Sequence, residues 1–270
     1  MPELPEVQNF AQSIHSNYVG KKFKNIVFHR DNLRYPFEKE KLERIFASGN
    51  EFLNCYREGK QIILETSSGA VKVSLGMTGA FKAANQSDVE KHQHVTLNFK
   101  NGESLAFVDP RRFGFWKICE SNEQKETSCD PLLEKDLLKL FLSETVKNKN
   151  ISVKDMLMDQ KLIGGIGNIY ALEALFLAGI LPTTRCVDLS ILKWKSLAKE
   201  IPIILNLAIN LGGSSISTYR SFKGDKGSFQ NLHKVYGREN EKCLKSGCQG
   251  YIKRIAQSGR SSWFCPVCQF

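Results

Sequence analysis

The sequence predicts an α+β chain of two domains: an N-terminal antiparallel β-sandwich fronted by a helix, then a helical domain that ends in a four-cysteine β-hairpin. Three observations carry this. From about residue 22 to 118 apolar residues alternate in short runs broken by Gly59, Gly69, Gly79 and Gly102; after Pro131 the apolar spacing becomes helical; and Cys243, Cys248, Cys265 and Cys268 form two close pairs. The 270 residues suffice for two modest cores, and 41% hydrophobic with 24% charged residues is an ordinary globular composition. No internal repeat of 20 to 50 residues is visible.

Taken in order, Val7, Phe10, Ala11, Ile14 and Tyr18 keep the i, i+3, i+4, i+7 spacing of a core-facing helix, with Pro5 in its first turn. Strands are predicted around Ile26 and Phe28, Ile62 and Leu64, Val71 to Leu75, Val95 to Phe99, and Leu105 and Phe107; a helix at 38–48 interrupts them. The polar run from Cys119 to Asp130 marks the boundary, so residues 1–130 form the first domain. Helices follow at 132–142, 153–158, 169–178 and 189–211, the last kinked or split by Pro202. Residues 131–234 make up this helical domain with a glycine- and serine-rich loop, of a kind that often serves as a lid, and 235–270 make up the cysteine hairpin.

The first seven residues, Met1-Pro2-Glu3-Leu4-Pro5-Glu6-Val7, place an unusual nucleophile beside two carboxylates. Once Met1 is removed, Pro2 exposes a secondary amine, whose attack on an aldehyde-like carbon gives an iminium. Such an amine titrates near pH 8, so part of it is unprotonated at neutral pH. Glu3 stands next to it as a candidate general acid. Ordinary helix-start chemistry by itself also accounts for Glu3 and Glu6, since the helix dipole favours acids there.

The spacing Cys243-x4-Cys248, sixteen residues, Cys265-x2-Cys268 matches one closed tetrahedral zinc site, structural rather than catalytic. Gly247, Gly250 and Gly259 supply its turns, while Lys253, Arg254 and Arg260 between the pairs would face a phosphate backbone. The glycine-rich stretch Leu162 to Tyr170 joins two helices and offers an anion site, or merely close packing, with Asn168 as helix cap. In Asp109-Pro110-Arg111-Arg112-Phe113-Gly114-Phe115-Trp116 the aromatics are either core residues or wedges that enter a duplex.

The formal net charge is +10, and residues 205–270 hold ten Lys/Arg against three Asp/Glu. That excess points to a polyanion, with nucleic acid first. No basic, apolar leader and no run of 18 apolar residues is seen, so secretion and membrane spanning are not expected. The scattered Cys55, Cys119, Cys129 and Cys186 suit reduced thiols in the cytoplasm.

Together these motifs resemble the formamidopyrimidine-DNA glycosylase family of base-excision repair. Pro2 to Val7 matches its N-terminal signature, Asp109 to Gly114 its central one, Gly165-Ile166-Gly167-Asn168-Ile169-Tyr170 its helix-two-turn-helix, and the last 28 residues its zinc finger. The resemblance implies an enzyme that flips oxidised purines, such as 8-oxoguanine or formamidopyrimidines, out of duplex DNA and excises them. Pro2 would then attack the sugar C1′, and β- and δ-elimination would nick the strand. It further implies Glu3 as proton donor to the sugar ring oxygen, Glu6 as an ordering group, Lys60 as a phosphate ligand near the lesion, and Asn168 and Arg260 as other phosphate ligands. Lys154 aligns with a DNA-binding lysine. Met77, Arg111 and Phe113 would fill the void left by the flipped base, and a lid would span about residues 218 to 230.

Three positions depart from the family pattern. Ser74 replaces a histidine, the first cysteine pair has four intervening residues instead of two, and Pro202 lies in a normally uninterrupted helix. The implied partner is damaged double-stranded DNA and the implied state a nucleoid-associated monomer. Two alternatives stay open: an endonuclease VIII-like enzyme for oxidised pyrimidines, against which Leu4 and the Met77, Arg111, Phe113 trio argue, and a non-catalytic zinc-finger DNA-binding protein.

Overall fold

Pro5 and the apolar stripe behind it start the chain as a helix, α1 (Leu4–Tyr18), which buries Val7, Phe10, Ala11, Ile14 and Tyr18. The computed structural model describes residues 1–84, 89–120, 128–215, 222 and 224–270. Two compact units emerge, Met1–Lys125 with Leu211–Ser228, and Glu126–Asn210 with Phe229–Phe270. This grouping differs from the three-part reading of the sequence: the hairpin region joins the helices, and the loop after residue 210 joins the β-rich unit. A buried bond from the Ser214 N–H to the Glu6 carboxylate, 2.7 Å, gives a physical reason for the latter.

The first unit holds two four-stranded antiparallel sheets. One has the order β1 (Phe23–Phe28), β6 (Gln93–Phe99), β7 (Ser104–Val108), β5 (Ala80–Ala84); the other has β2 (Phe52–Glu58), β3 (Gln61–Thr66), β4 (Gly69–Ser74), β8 (Phe115–Cys119). A short helix, α2 (Lys39–Ile45), follows β1. Apolar faces of both sheets close on one core, where Trp116 from β8 meets Phe81 and Phe107 of the other sheet at ring distances of 6.0 and 5.8 Å. α1 packs on β2 and β3. The strands β2, β5 and β8 escaped the sequence reading, β8 because Phe115 and Trp116 read as part of the motif from Asp109 to Trp116. β2 exposes Leu53 and ends in charged residues, and β5 is mostly alanine and lysine, so neither shows clean alternation.

The second unit contains α3 (Glu134–Phe141), α4 (Glu144–Lys147), α5 (Val153–Leu157), α6 (Asn168–Leu177) and α7 (Ile191–Asn210), then the hairpin β9 (Lys253–Gln257) and β10 (Arg260–Phe264). Pro202 does not split α7, which runs unbroken for 20 residues. The Asn206 side chain donates to the Pro202 carbonyl at 2.8 Å, one turn on from the position where proline removes a donor. Of the expected boundary segment, residues 121–127 lie outside the described residues, as do 218–221 and 223 of the expected lid. The ends of that loop are tied together: Ser228 N–H donates to Leu211 O at 2.9 Å and Gly227 N–H to Ser215 Oγ at 2.9 Å. Among the described residues no helix is long and apolar enough to cross a membrane.

Candidate active site and nucleic-acid interface

The N-terminus of α1 is built around its two carboxylates. Glu3 is the N-cap and Glu6 the third helical residue, and they form a reciprocal capping box in which the Glu3 N–H donates to Glu6 Oε2 at 2.8 Å. Both are buried, as is Pro2, whereas Met1 is exposed. The second Glu6 oxygen accepts the Ser214 N–H, so one carboxylate holds the helix start and a loop at once. Gly213 permits this approach: it has φ +81°, and a Cβ there would lie 2.7 Å from Glu6 Oε1. An amide cannot replace that carboxylate, because it has one acceptor oxygen for two N–H groups. Glu6→Gln is therefore expected to cost about 1–3 kcal/mol of stability, read as a lowered urea midpoint.

Lys60 sits in the two-residue turn between β2 and β3, where Gly59, at φ +54°, fits the first position of a type II′ turn. Arg57 steadies this hairpin end against α1, donating to Gln8 Oε1 at 3.0 Å and to Gly59 O at 3.2 Å. Met77, Arg111 and Phe113 all border an open cavity of about 700 Å³, which Met1, Arg34 and Ser74 also line. Met77 and Phe113 are 39% and 44% exposed, which for large apolar side chains marks a surface built for contact. The Arg111 guanidinium lies 4.8 Å from the centre of the Phe113 ring. Trp116, by contrast, is core, so the two aromatics that looked equivalent in sequence divide. At the position of the missing histidine, the Ser74 hydroxyl accepts the Gly76 N–H at 3.3 Å.

In the second unit Lys154 and Asn168 converge on one strand of the terminal hairpin. Asn168 Nδ2 donates to Ser261 O at 3.0 Å and Lys154 Nζ to Ser262 Oγ at 2.7 Å. Arg260, next in sequence, is close enough to Lys154 to oppose its charge. One expectation is corrected here. Gly167, not Asn168, is the N-cap of α6, since the extended backbone lies at the glycine; this leaves the Asn168 side chain for the hairpin. Lys154 is buried, 1% exposed. Burial draws its ammonium down to about 8, Asp155 opposing and Arg260 adding to the shift.

Sequence reasoning missed the groups that support this arrangement. Gln160 clamps the glycine turn, accepting from Gly165 N–H at 3.0 Å and donating to Ile166 O at 2.8 Å. Glu173, fully buried in α6, accepts the N–H groups of Lys234, Val235 and Tyr236 at 2.7 to 2.9 Å and so ties down the chain entering the finger. Burial pushes its carboxyl upward while those three bonds pull it back. A mid-helix glutamate among apolar residues was the one available signal.

The four cysteine sulfurs lie within 4.8 Å of one another, with Cys243 to Cys268 at 3.8 Å and Cys248 to Cys265 at 3.7 Å. A tetrahedral zinc about 2.3 Å from each sulfur would hold them roughly 3.8 Å apart, so the donors fit the ion despite the longer first knuckle. Gly250 serves close packing rather than a turn, since a Cβ there would lie 2.8 Å from Cys265 Sγ.

Family models match three consecutive stretches: the formamidopyrimidine-DNA glycosylase N-terminal domain over residues 1–116, its H2TH domain over 128–220, and the zinc finger found in FPG and IleRS over 240–269. A formamidopyrimidine-DNA glycosylase of Dinoroseobacter shibae is 37% identical, with both chains covered in full. The chain belongs to the formamidopyrimidine-DNA glycosylase family. A solved complex of the Lactococcus lactis family member with DNA containing an abasic site has a TM-score of 0.88 and 34% identity over 99% of each chain. A second, MutM in complex with DNA carrying a carbocyclic 8-oxo-G, has a TM-score of 0.85 and 31% identity, again over 99% of each. Family membership makes the cysteine cluster a structural zinc finger. Zinc removal with a chelator, or Cys265→Ser, is expected to unfold the finger and weaken DNA binding at least about tenfold, checked by metal analysis beside a binding titration.

Proposed function

We propose that the protein is a base-excision repair enzyme that removes oxidised purines from duplex DNA and nicks the strand through a Schiff base on Pro2. The observation that carries this reading is the head of α1, where a buried proline precedes two buried carboxylates locked in a capping box. In the reaction the Pro2 nitrogen lone pair attacks C1′, the bond from C1′ to the base breaks, and the base leaves with a proton. Glu3 protonates the ring oxygen as the sugar opens, giving the iminium. Elimination then expels the 3′ phosphate and, in a second step, the 5′ phosphate. Glu6 holds the Glu3 backbone in place, and Lys60 takes a phosphate near the lesion. Met77, Arg111 and Phe113 enter the stack as the base departs. The protein acts as a monomer on chromosomal DNA, and its zinc holds the finger without entering the chemistry.

Lys154, Asn168 and Arg260 form the phosphate-holding group of the second unit. Charged Lys154 attracts phosphate, so DNA affinity is expected to fall several-fold, and the salt slope by about one unit, as pH rises through about 8. The sign for stability is opposite. With its folded value below the unfolded one, the folded chain binds fewer protons from about 8 up to the ordinary lysine value, and its stability rises across that window. Anisotropy titrations of Lys154→Met beside the unaltered protein check this, since the pH step should vanish in the variant.

The test of the whole reading is borohydride trapping on a duplex with 8-oxoguanine opposite cytosine, followed by peptide mass spectrometry. A crosslink at Pro2 is expected. Tight binding with no crosslink would favour a non-catalytic DNA-binding protein, and faster excision of thymine glycol than of 8-oxoguanine would favour the oxidised-pyrimidine branch.

A further inference from the structure

We infer that Thr78 and Asp109 are positioning residues that lock the loop carrying Met77 to the loop carrying Arg111 and Phe113, so that the three side chains enter DNA as one rigid wedge. The inference rests on the proposed function for what the wedge does, but its geometry is independent of it. The Thr78 hydroxyl donates to Asp109 Oδ1 at 2.5 Å and accepts the Arg111 N–H at 3.1 Å. One hydroxyl thus joins the residue after Met77 to the backbone of Arg111, and its single proton, committed to the carboxylate, turns a lone pair toward that N–H.

Asp109 completes the joint from a fully buried position. Its other carboxylate oxygen accepts the Gly114 N–H at 2.8 Å, just past Phe113. Its carbonyl accepts from Arg112 N–H at 3.2 Å and from His94 Nε2 at 2.8 Å, and its own N–H donates to His92 O at 3.0 Å. The carboxylate therefore holds the segment 111–113 directly at its far end and through Thr78 at its near end, and within it Arg112 holds the left-handed conformation at φ +59°. An isolated loop would relax such strain, so its persistence calls for a surrounding clamp. The loops also touch directly. A Cβ on Gly76 would lie 2.5 Å from the Phe113 carbonyl carbon, which leaves no room between the backbones that present Met77 and Phe113.

A wedge must hold its shape while it displaces a stacked base, because the unstacking cost is repaid only by contacts made in the right place. Thr78→Val keeps the shape of the side chain and removes both hydrogen bonds; Thr78→Ser keeps both. The experiment measures single-turnover excision of 8-oxoguanine opposite cytosine and opposite adenine, together with trapping on single-stranded DNA that carries an abasic site, where no partner base and no void exist. Thr78→Val is expected to slow duplex excision by on the order of 10- to 100-fold and to blur the choice between cytosine and adenine. Trapping on the single strand should stay within about twofold, and Thr78→Ser should restore excision. Unchanged duplex excision by Thr78→Val would overturn the inference, as would an equal fall in both reactions. If the unaltered protein itself excised no 8-oxoguanine, the failure would be that of the proposed function, not of the lock.

Discussion

A protein that keeps any residue ahead of Pro2 is expected to excise damaged bases at least about 1000-fold more slowly and to give no borohydride crosslink, because its nucleophile is gone. Acylated by Met1, the Pro2 nitrogen is an amide whose lone pair is delocalised into the carbonyl and cannot attack C1′. The fold does not resist this change. The structure contains Met1, 61% exposed, ahead of an intact α1 with its capping box, so the blocked chain should melt with the free one. DNA binding should also persist, since the proposed phosphate-holding group of Lys154, Asn168 and Arg260 is untouched. The measurement compares two preparations, one with Met1 removed and one with a residue retained, for terminal mass, DNA affinity and excision rate. Equal excision by the retained form would remove Pro2 from the mechanism and move the nucleophile elsewhere.

What could be read in the sequence was what is local. The stripe from Val7 to Tyr18 and the cysteine spacing report directly on a helix face and on a metal knuckle, and both stand in the structure. Glycine positions were also legible, but their reasons were not. Gly250 reads as a turn residue and is required by the nearby Cys265 sulfur, a contact across 15 positions of sequence. The supports of the site are of this second kind. Nothing around Thr78 announces that its hydroxyl meets Asp109, and nothing around Glu173 announces three backbone donors from residues 234 to 236. Each pairing is set by sheet or helix packing, which a one-dimensional pattern does not encode. Lys154 shows the same limit from the other side. Its alignment with a DNA-binding lysine says nothing of burial, and only the hairpin folded over it makes it a buried charge.

Glu3→Gln is expected to lower base excision by about 100- to 10,000-fold while leaving folding and DNA binding nearly unchanged. The conservative swap isolates the proton. Glutamine keeps an oxygen that can accept the Glu6 N–H in the capping box, and the bond from the Glu3 backbone N–H to Glu6 Oε2 does not involve the altered side chain. What it cannot do is deliver a proton to the ring oxygen as the bond to the base breaks. An abasic sugar reaches its open aldehyde without that help, so trapping on an abasic duplex should fall far less than excision does. That difference separates Glu3 from Pro2, whose blockage should remove both reactions. The experiment is single-turnover excision on an 8-oxoguanine duplex beside trapping on the abasic one, with urea midpoints for both proteins. A Glu3→Gln variant that excised within about tenfold of the unaltered protein would leave Glu3 as a helix cap and assign the proton to another group.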